Sequence, residues 1–137
     1  MRGGLAILLK TGINHTLLRL EEVEEVEGVE RQGIELCTAA GKLAIINVYI
    51  APTSVVSKAQ VDCLFPTRRS LIVGDFNAHS RSWKDGKTDP RGRVLEEVVQ
   101  EKDLVVLNTG QPTLCPRPNA LNNSVIDLAI TTKDLAL

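Results

Sequence analysis

The run Leu71-Ile72-Val73 stops at Gly74 and gives way at once to Asp75-Phe76-Asn77-Ala78-His79. Three apolar residues in succession suit a strand buried on both faces, and Gly, Asp and Asn are favoured turn formers. Leu71 to His79 therefore reads as a core strand that delivers polar side chains at one end. If the extended conformation continues briefly, Asp75 and Asn77 project to the same side. A carboxylate there can hold a hard cation or orient a water, and an amide can donate to a phosphate oxygen without adding negative charge. A strand followed by Gly-Asp-x-Asn is equally an ordinary turn, so these residues alone leave both readings open.

The rest of the chain supplies that strand with neighbours. Gly4 to Leu9 is a short apolar run closed by Thr11-Gly12, which predicts a buried strand. It begins almost at Met1, an odd place for a core strand, and a shortened or misplaced start would explain it. Ile34, Leu36 and Thr38 alternate with polar residues, Ala39 to Lys42 supplies a turn, and Leu43 to Ile50 resumes as a β-forming run that Pro52 ends; together they predict a hairpin. Lys58 to Phe65 suits a short helix. Asp89-Pro90 offers an N-cap with proline in the first turn, and Val94, Leu95, Val98 and Val99 fall on one face of a helix reaching about Lys102. Leu104 to Leu107 and Ser124 to Ile130 read as further strands. Between Glu21 and Glu30, Val23, Val26 and Val29 stand three apart among six glutamates, a spacing that decides neither helix nor strand; such a cluster can bind a metal or form a solvated face. The pattern is mixed α/β (α+β), predominantly sheet, in a single domain over residues 1–137.

Composition limits the function. The 137 residues are 43% hydrophobic, enough to bury roughly two thirds of the unfolded surface. Sixteen basic and seventeen acidic side chains leave a charge of −1, so any nucleic-acid contact must be local. Lys10, Arg68, Arg69, Arg81, Lys84, Lys87, Arg91 and Arg93 form a phosphate-tracking rim if the fold gathers them; scattered solvated charges are the plainer expectation. No apolar run approaches the ~20 residues that span a bilayer, and no secretory signal is visible, so no membrane partner and an intracellular location are expected. Cys37, Cys63 and Cys115 lack metal-type spacing and read as reduced fillers.

Leu71 to His79 closely resembles the signature of the endonuclease/exonuclease/phosphatase superfamily, whose fold is DNase I-like. Ile46-Asn47-Val48-Tyr49-Ile50-Ala51-Pro52 resembles its strand carrying an active-site tyrosine, and Ser124-Val125-Ile126-Asp127-Leu128 its strand carrying a second aspartate. Further segments are similar to one branch, the apurinic-type endonuclease domain of non-LTR retrotransposon polyproteins. These are Gly3 to Leu8, Ala78 to Trp83, Arg91-Gly92 before a Leu-Glu-Glu helix, Val106 to Gly110 with Pro112-Thr113, and Arg117-Pro118-Asn119.

The resemblance implies a two-sheet β-sandwich flanked by helices and a reverse-transcriptase-associated, Mg²⁺-dependent (or Mn²⁺-dependent) phosphodiesterase acting on DNA, nuclear where it serves a retroelement. Asp75 would orient or activate the attacking water and contribute to a metal site. Asn77 would hold a transition-state oxygen, Tyr49 would contact the scissile phosphate, and Asp127 would orient a catalytic histidine. His79 is a further substrate-binding candidate. The family also places an Asn and a metal-binding Glu before Gly3, and a histidine after Asp127, where Thr131 to Leu137 has none. The domain is thus expected to be incomplete at both ends and to self-associate through exposed sheet edges. His15, His79, Asp85 and Asp89 are the residues at hand to replace the missing groups. The alternative is a catalytically inactive remnant, at most a weak nucleic-acid-binding module.

Overall fold

The computed structural model describes residues 4–20, 27–114 and 124–136. Gly3, most of the acidic segment, Cys115 and Arg117-Pro118-Asn119 lie outside the described residues. The chain runs β1 (His15–Leu17), β2 (Val29–Thr38), β3 (Gly41–Ile50), α1 (Lys58–Asp62), β4 (Ser70–Asp75), α2 (Pro90–Glu101), β5 (Leu104–Val106) and β6 (Asp127–Thr132). The described strands form a six-stranded sheet in the order β1-β2-β3-β4-β6-β5.

The hairpin expected from Ile34 to Ile50 is present and longer: β2 and β3 pair antiparallel from Val29↔Ile50 to Thr38↔Gly41, turning at Ala39-Ala40. Val29 and Glu30, undecided from their spacing, belong to β2. From β3 the chain crosses through α1 to β4, which pairs parallel to β3. Ser57 caps α1 in a capping box with Gln60. Asp89 caps α2 by accepting from the Gly92 N–H, with Pro90 opening the helix.

Alternation along the central strands decides which face is buried. Ala44, Ile46, Val48 and Ile50 on β3 meet Ile72 on β4 and Leu128 and Ile130 on β6, and all are buried. The two helices cover this face with Val61 from α1 and Leu95 and Val98 from α2. Phe65 and Phe76 stack beneath them with centroids 6.3 Å apart, and Trp83 is buried in the same core.

Of the two sheets in the expected sandwich, the described residues build one, with its helices. The opposite face, carrying Ile45, Asn47, Val73 and Ala129, is half-buried. Residues 4–10 lie over it, but they form no strand, contrary to the sequence expectation. Their burial nevertheless alternates: Leu5, Ile7 and Leu9 are partly covered while Leu8 is exposed. What is missing is a ladder: a side-chain bond from Asn47 Nδ2 reaches Ala6 O at 3.3 Å. An apolar run becomes a strand only where another strand takes its backbone groups.

The β3–β4 contact depends on one glycine. Gly74 has φ +147°, and a Cβ there would lie 1.8 Å from the Val48 carbonyl oxygen. Gly74→Ala is expected to lower the unfolding free energy by more than about 1 kcal/mol, from both strain and overlap. Urea unfolding of the two chains measures it; equal midpoints would show that β3 can give way.

Candidate active site

Three of the expected residues stand in one row. The parallel register sets Tyr49 beside Asp75, and the antiparallel register sets Asp75 opposite Asp127. Residues paired across strands share a face, and strands lie about 4.8 Å apart, so Tyr49, Asp75 and Asp127 gather at one edge of the face turned away from the helices. Glu30 continues the row beyond Tyr49. It is two strands from Asp75, roughly 10 Å along the sheet.

Asp75 is half-buried. Burial pushes its carboxyl above the ordinary value, and the neighbouring Asp127 charge adds to this. The Asn77 backbone N–H, the Asn77 side chain and the Arg91 charge oppose the rise without cancelling it. Like charges opposed on adjacent strands are unfavourable; a cation or a developing positive charge between them would relieve the repulsion.

Asn77 reaches Asp75 by a different route from the expected continuation of the strand. β4 ends at Asp75, and Asn77 takes a left-handed conformation, φ 44°. Asparagine tolerates this because its short polar side chain bonds locally. Its backbone N–H donates to Asp75 Oδ1 at 2.9 Å, and its Nδ2 donates to the Ile50 carbonyl at 2.9 Å. The amide is thereby fastened to the end of the strand that carries Tyr49.

Asp127 is exposed, and its strand is held by residues to which no role was given. Asn108 Nδ2 donates to the Asp127 carbonyl, while Asn108 Oδ1 accepts from the Ala129 N–H, both at 2.9 Å. The Thr113 hydroxyl accepts from the N–H groups of Ile126 and Asp127 at 3.1 and 3.0 Å. The sequence signal for both is the segment Val106 to Thr113, which resembles the family but does not itself show what the two side chains hold.

His79, Asp85 and Asp89 are occupied. His79 Nδ1 lies 3.1 Å from Asp85 Oδ2, and that oxygen also accepts from the Val125 N–H at 2.9 Å. Burial raises the Asp85 carboxyl, but the Val125 N–H, the His79 ring and the Lys87 backbone N–H together hold it below its usual value. Asp89 Oδ1 accepts from the His79 and Gly92 N–H groups. These residues fasten the segment after Asn77 to α2 and to the approach to β6. His15 is exposed on β1, with Nδ1 at 2.9 Å from the Ile13 carbonyl.

The expected basic rim is thinned. Arg68 pairs with Glu35 and Arg69 with Asp134, and Arg91 turns inward to backbone carbonyls. Lys84 donates to the Thr109 carbonyl. Arg81, Lys87 and Arg93 remain exposed.

Among the described residues, no group of three or more His, Cys, Asp or Glu side chains could hold a metal ion. Mg²⁺ is commonly held by one or two carboxylates with water and substrate phosphate, so the donor set of Asp75 with Asp127 beside it suits that cation. Among the described residues, no helix is long and apolar enough to cross a membrane.

Comparison with known proteins gives the family and the fold. Residues 43–137 match the pattern of the family described as endonuclease–reverse transcriptase. The chain is 28% identical over 133 residues to the RNA-directed DNA polymerase from mobile element jockey of Drosophila funebris, covering 94% of this chain and 14% of that protein. It is 31% identical over 135 residues to the probable RNA-directed DNA polymerase from transposon X-element of Drosophila melanogaster, covering 95% of this chain and 14% of that protein. Among solved structures it is similar to the endonuclease domain of TRAS1, a telomere-specific non-LTR retrotransposon. The TM-score is 0.75 at 19% identity, over 93% of this chain and 59% of that one. The fold is therefore the α/β, DNase I-like one, and the chain spans about a seventh of the length of the curated relatives.

Two outcomes follow from the carboxylates. Asp75 has a raised folded-state value, so its ionisation favours the unfolded chain, and this cost is present above the unfolded value. Asp75→Asn is expected to raise the unfolding midpoint at pH 7; a lower midpoint would contradict the repulsion described. Asp85 is the opposite case. Its stabilisation is present above the unfolded value and is lost as pH falls through its lowered folded value. The stability gap between the native chain and Asp85→Asn is expected to be full at pH 7 and to close below about pH 4, as followed by urea unfolding across pH; a gap independent of pH would refute it.

Proposed function

The chain belongs to the endonuclease–reverse transcriptase family, and we propose that it carries the phosphodiesterase site of a DNA endonuclease encoded by a non-LTR retrotransposon. The observation that carries this reading is the row of Tyr49, Asp75 and Asp127 with Asn77 folded against it. Hydrolysis of a phosphodiester needs an oriented water, a donor to the oxygen on which charge develops, and a counter-charge.

Asp75 suits the first task. It is half-buried at the end of β4 beside Tyr49, where a carboxylate can orient a water and accept its proton. Asn77 suits the second: one amide proton is spent on Ile50 O, which fixes the side chain against the Asp75 carboxylate, where the other proton can pass to a phosphate oxygen. Tyr49 places a phenol next to Asp75, where it can donate to the same phosphate. Asp75, with Asp127 beside it, would hold Mg²⁺, which when bound supplies Lewis-acid stabilisation of the phosphate. DNA is the proposed substrate, approached from the side where Arg81, Lys87 and Arg93 are exposed on the segment that follows the site.

Nicking of supercoiled plasmid by the 137-residue chain in Mg²⁺ or EDTA tests the reading. Mg²⁺-dependent nicking is expected, reduced by about 10²–10⁴-fold in Asp75→Asn and about 10²–10³-fold in Asn77→Ala. A folded chain that binds DNA without nicking it would overturn the catalytic reading and leave a nucleic-acid-binding remnant.

A further inference from the structure

By charge alone Arg91, in the first turn of α2, belongs with the surface residues that track phosphate. It is instead half-buried and donates to five backbone carbonyls. Nη1 donates to Phe76 O at 3.0 Å and Asn77 O at 2.9 Å; Nη2 donates to Ala51 O at 3.0 Å, Pro52 O at 3.2 Å and Ser54 O at 2.5 Å. These carbonyls come from two loops, one leaving the strand of Tyr49 and the other leaving the strand of Asp75. Converging carbonyl oxygens repel each other, and a planar guanidinium with several fixed N–H groups can satisfy both sets at once, where a lysine ammonium has three donors at a single point.

The aim of Arg91 is itself fixed. The Asp89 N–H donates to His79 O at 3.0 Å, and Asp89 Oδ1 accepts from the N–H groups of His79 at 3.3 Å and Gly92 at 2.6 Å. A Cβ on Gly92 would fall 1.9 Å from His79 O, so the first turn of α2 sits directly on that backbone. The path from Asn77 to His79, across to Asp89, along to Arg91 and back to Asn77 O is closed by hydrogen bonds.

Within this ring lies the residue whose direction matters most. Asn77 is left-handed, gives its N–H to Asp75, and gives one amide proton to Ile50 O on the other loop. The direction of its remaining amide proton therefore follows from the spacing of the two loops, which is the spacing Arg91 spans. We propose that Arg91 is a positioning residue of this site: by tying the carbonyls of residues 51–54 to those of 76–77 it aims the Asn77 amide across Asp75. The inference rests on the phosphodiesterase reading for its consequence, but its geometric part is independent of turnover.

The test uses Arg91→Ala and Arg91→Lys in the 137-residue chain, with two readouts. The first is the pair of Asn77 side-chain amide proton resonances by ¹H–¹⁵N NMR, assigned through Asn77→Ala. The expected result is that they move to the free-amide position in both variants while core methyl resonances such as those of Ile72 and Val98 stay in place. Unmoved Asn77 amide resonances in a folded variant would overturn the proposal whether or not the chain nicks DNA. Should the alanine variant fail to fold, the lysine variant, which keeps the charge, carries the same decision.

The second readout is nicking. In Arg91→Ala kcat is expected to fall by about 10²-fold, the scale on which mispositioning acts, with KM changed by less than about twofold. Sub-denaturing guanidinium chloride should recover kcat in Arg91→Ala, whereas equal NaCl should not. In an Asn77→Ala background the Arg91→Ala change should cost nothing further. A loss carried by KM would make Arg91 a phosphate contact, and independent effects in the double variant would make it a general staple; either result overturns the proposal. A native chain that does not nick removes the phosphodiesterase reading and leaves Arg91 to be judged on the amide resonances alone.

Discussion

The parallel pairing of β3 with β4 is the constraint on which the rest depends. A slip of one residue between paired strands turns every side chain to the other face, so this register decides both what is buried and what is presented. It is held by a close approach that leaves no room for a side chain, Gly74 against the Val48 carbonyl. One consequence is a core in which Ile46, Val48 and Ile72 lie beneath the helices. The other is that Tyr49 and Asp75, one position beyond Val48 and Gly74, arrive side by side on the opposite face. Folding and site assembly are here the same event.

The site is not arranged for stability. Burial makes the Asp75 charge costly, and Asp127 opposite adds to that cost. The opposition is tolerated because the other face of the same strands offsets it with fully buried Ile72, Ile130 and Val48. Asp85 shows how a structural carboxylate differs. It too is buried, but the Val125 N–H and the His79 ring meet it, and its proton affinity goes down. Two aspartates ten residues apart thus differ in balance: for Asp75 burial and a like charge outweigh its donors, and for Asp85 the donors outweigh burial.

Much of the fold was legible because it rests on local rules. The hairpin, the capped α2, the short α1 and the end of β4 each follow from alternation, caps or turn residues within a few positions. Gly4 to Leu9 misled because its apolar run is real while its pairing is not, and pairing is a property of two segments. The row of Tyr49, Asp75 and Asp127 was legible only as a resemblance in motif order; nothing in the spacing of residues 49, 75 and 127 specifies register. Arg91 was misread for the same reason: a sequence shows a cation but not that five carbonyls converge where it points. Asn108 and Thr113 act on backbone groups, so beyond the motif order in which they stand their sequence carries no sign of what they hold.

Why the functional residues collect at one edge follows from topology. Parallel neighbours end at the same edge of a sheet, so β3 and β4 deliver the loops after Tyr49 and Asp75 together, a position at which α/β sheets commonly bind ligands. β6 runs the other way and brings its first residue, Asp127, to the same edge. Two loops emerging side by side expose carbonyls with no strand to receive them, and each such group needs a donor if it is to be shielded from water. A helix starting beside them can supply one, and α2 does so through Arg91 in its first turn. The backbone demand created by the parallel crossover and the orientation demand of the Asn77 amide are therefore met by a single side chain.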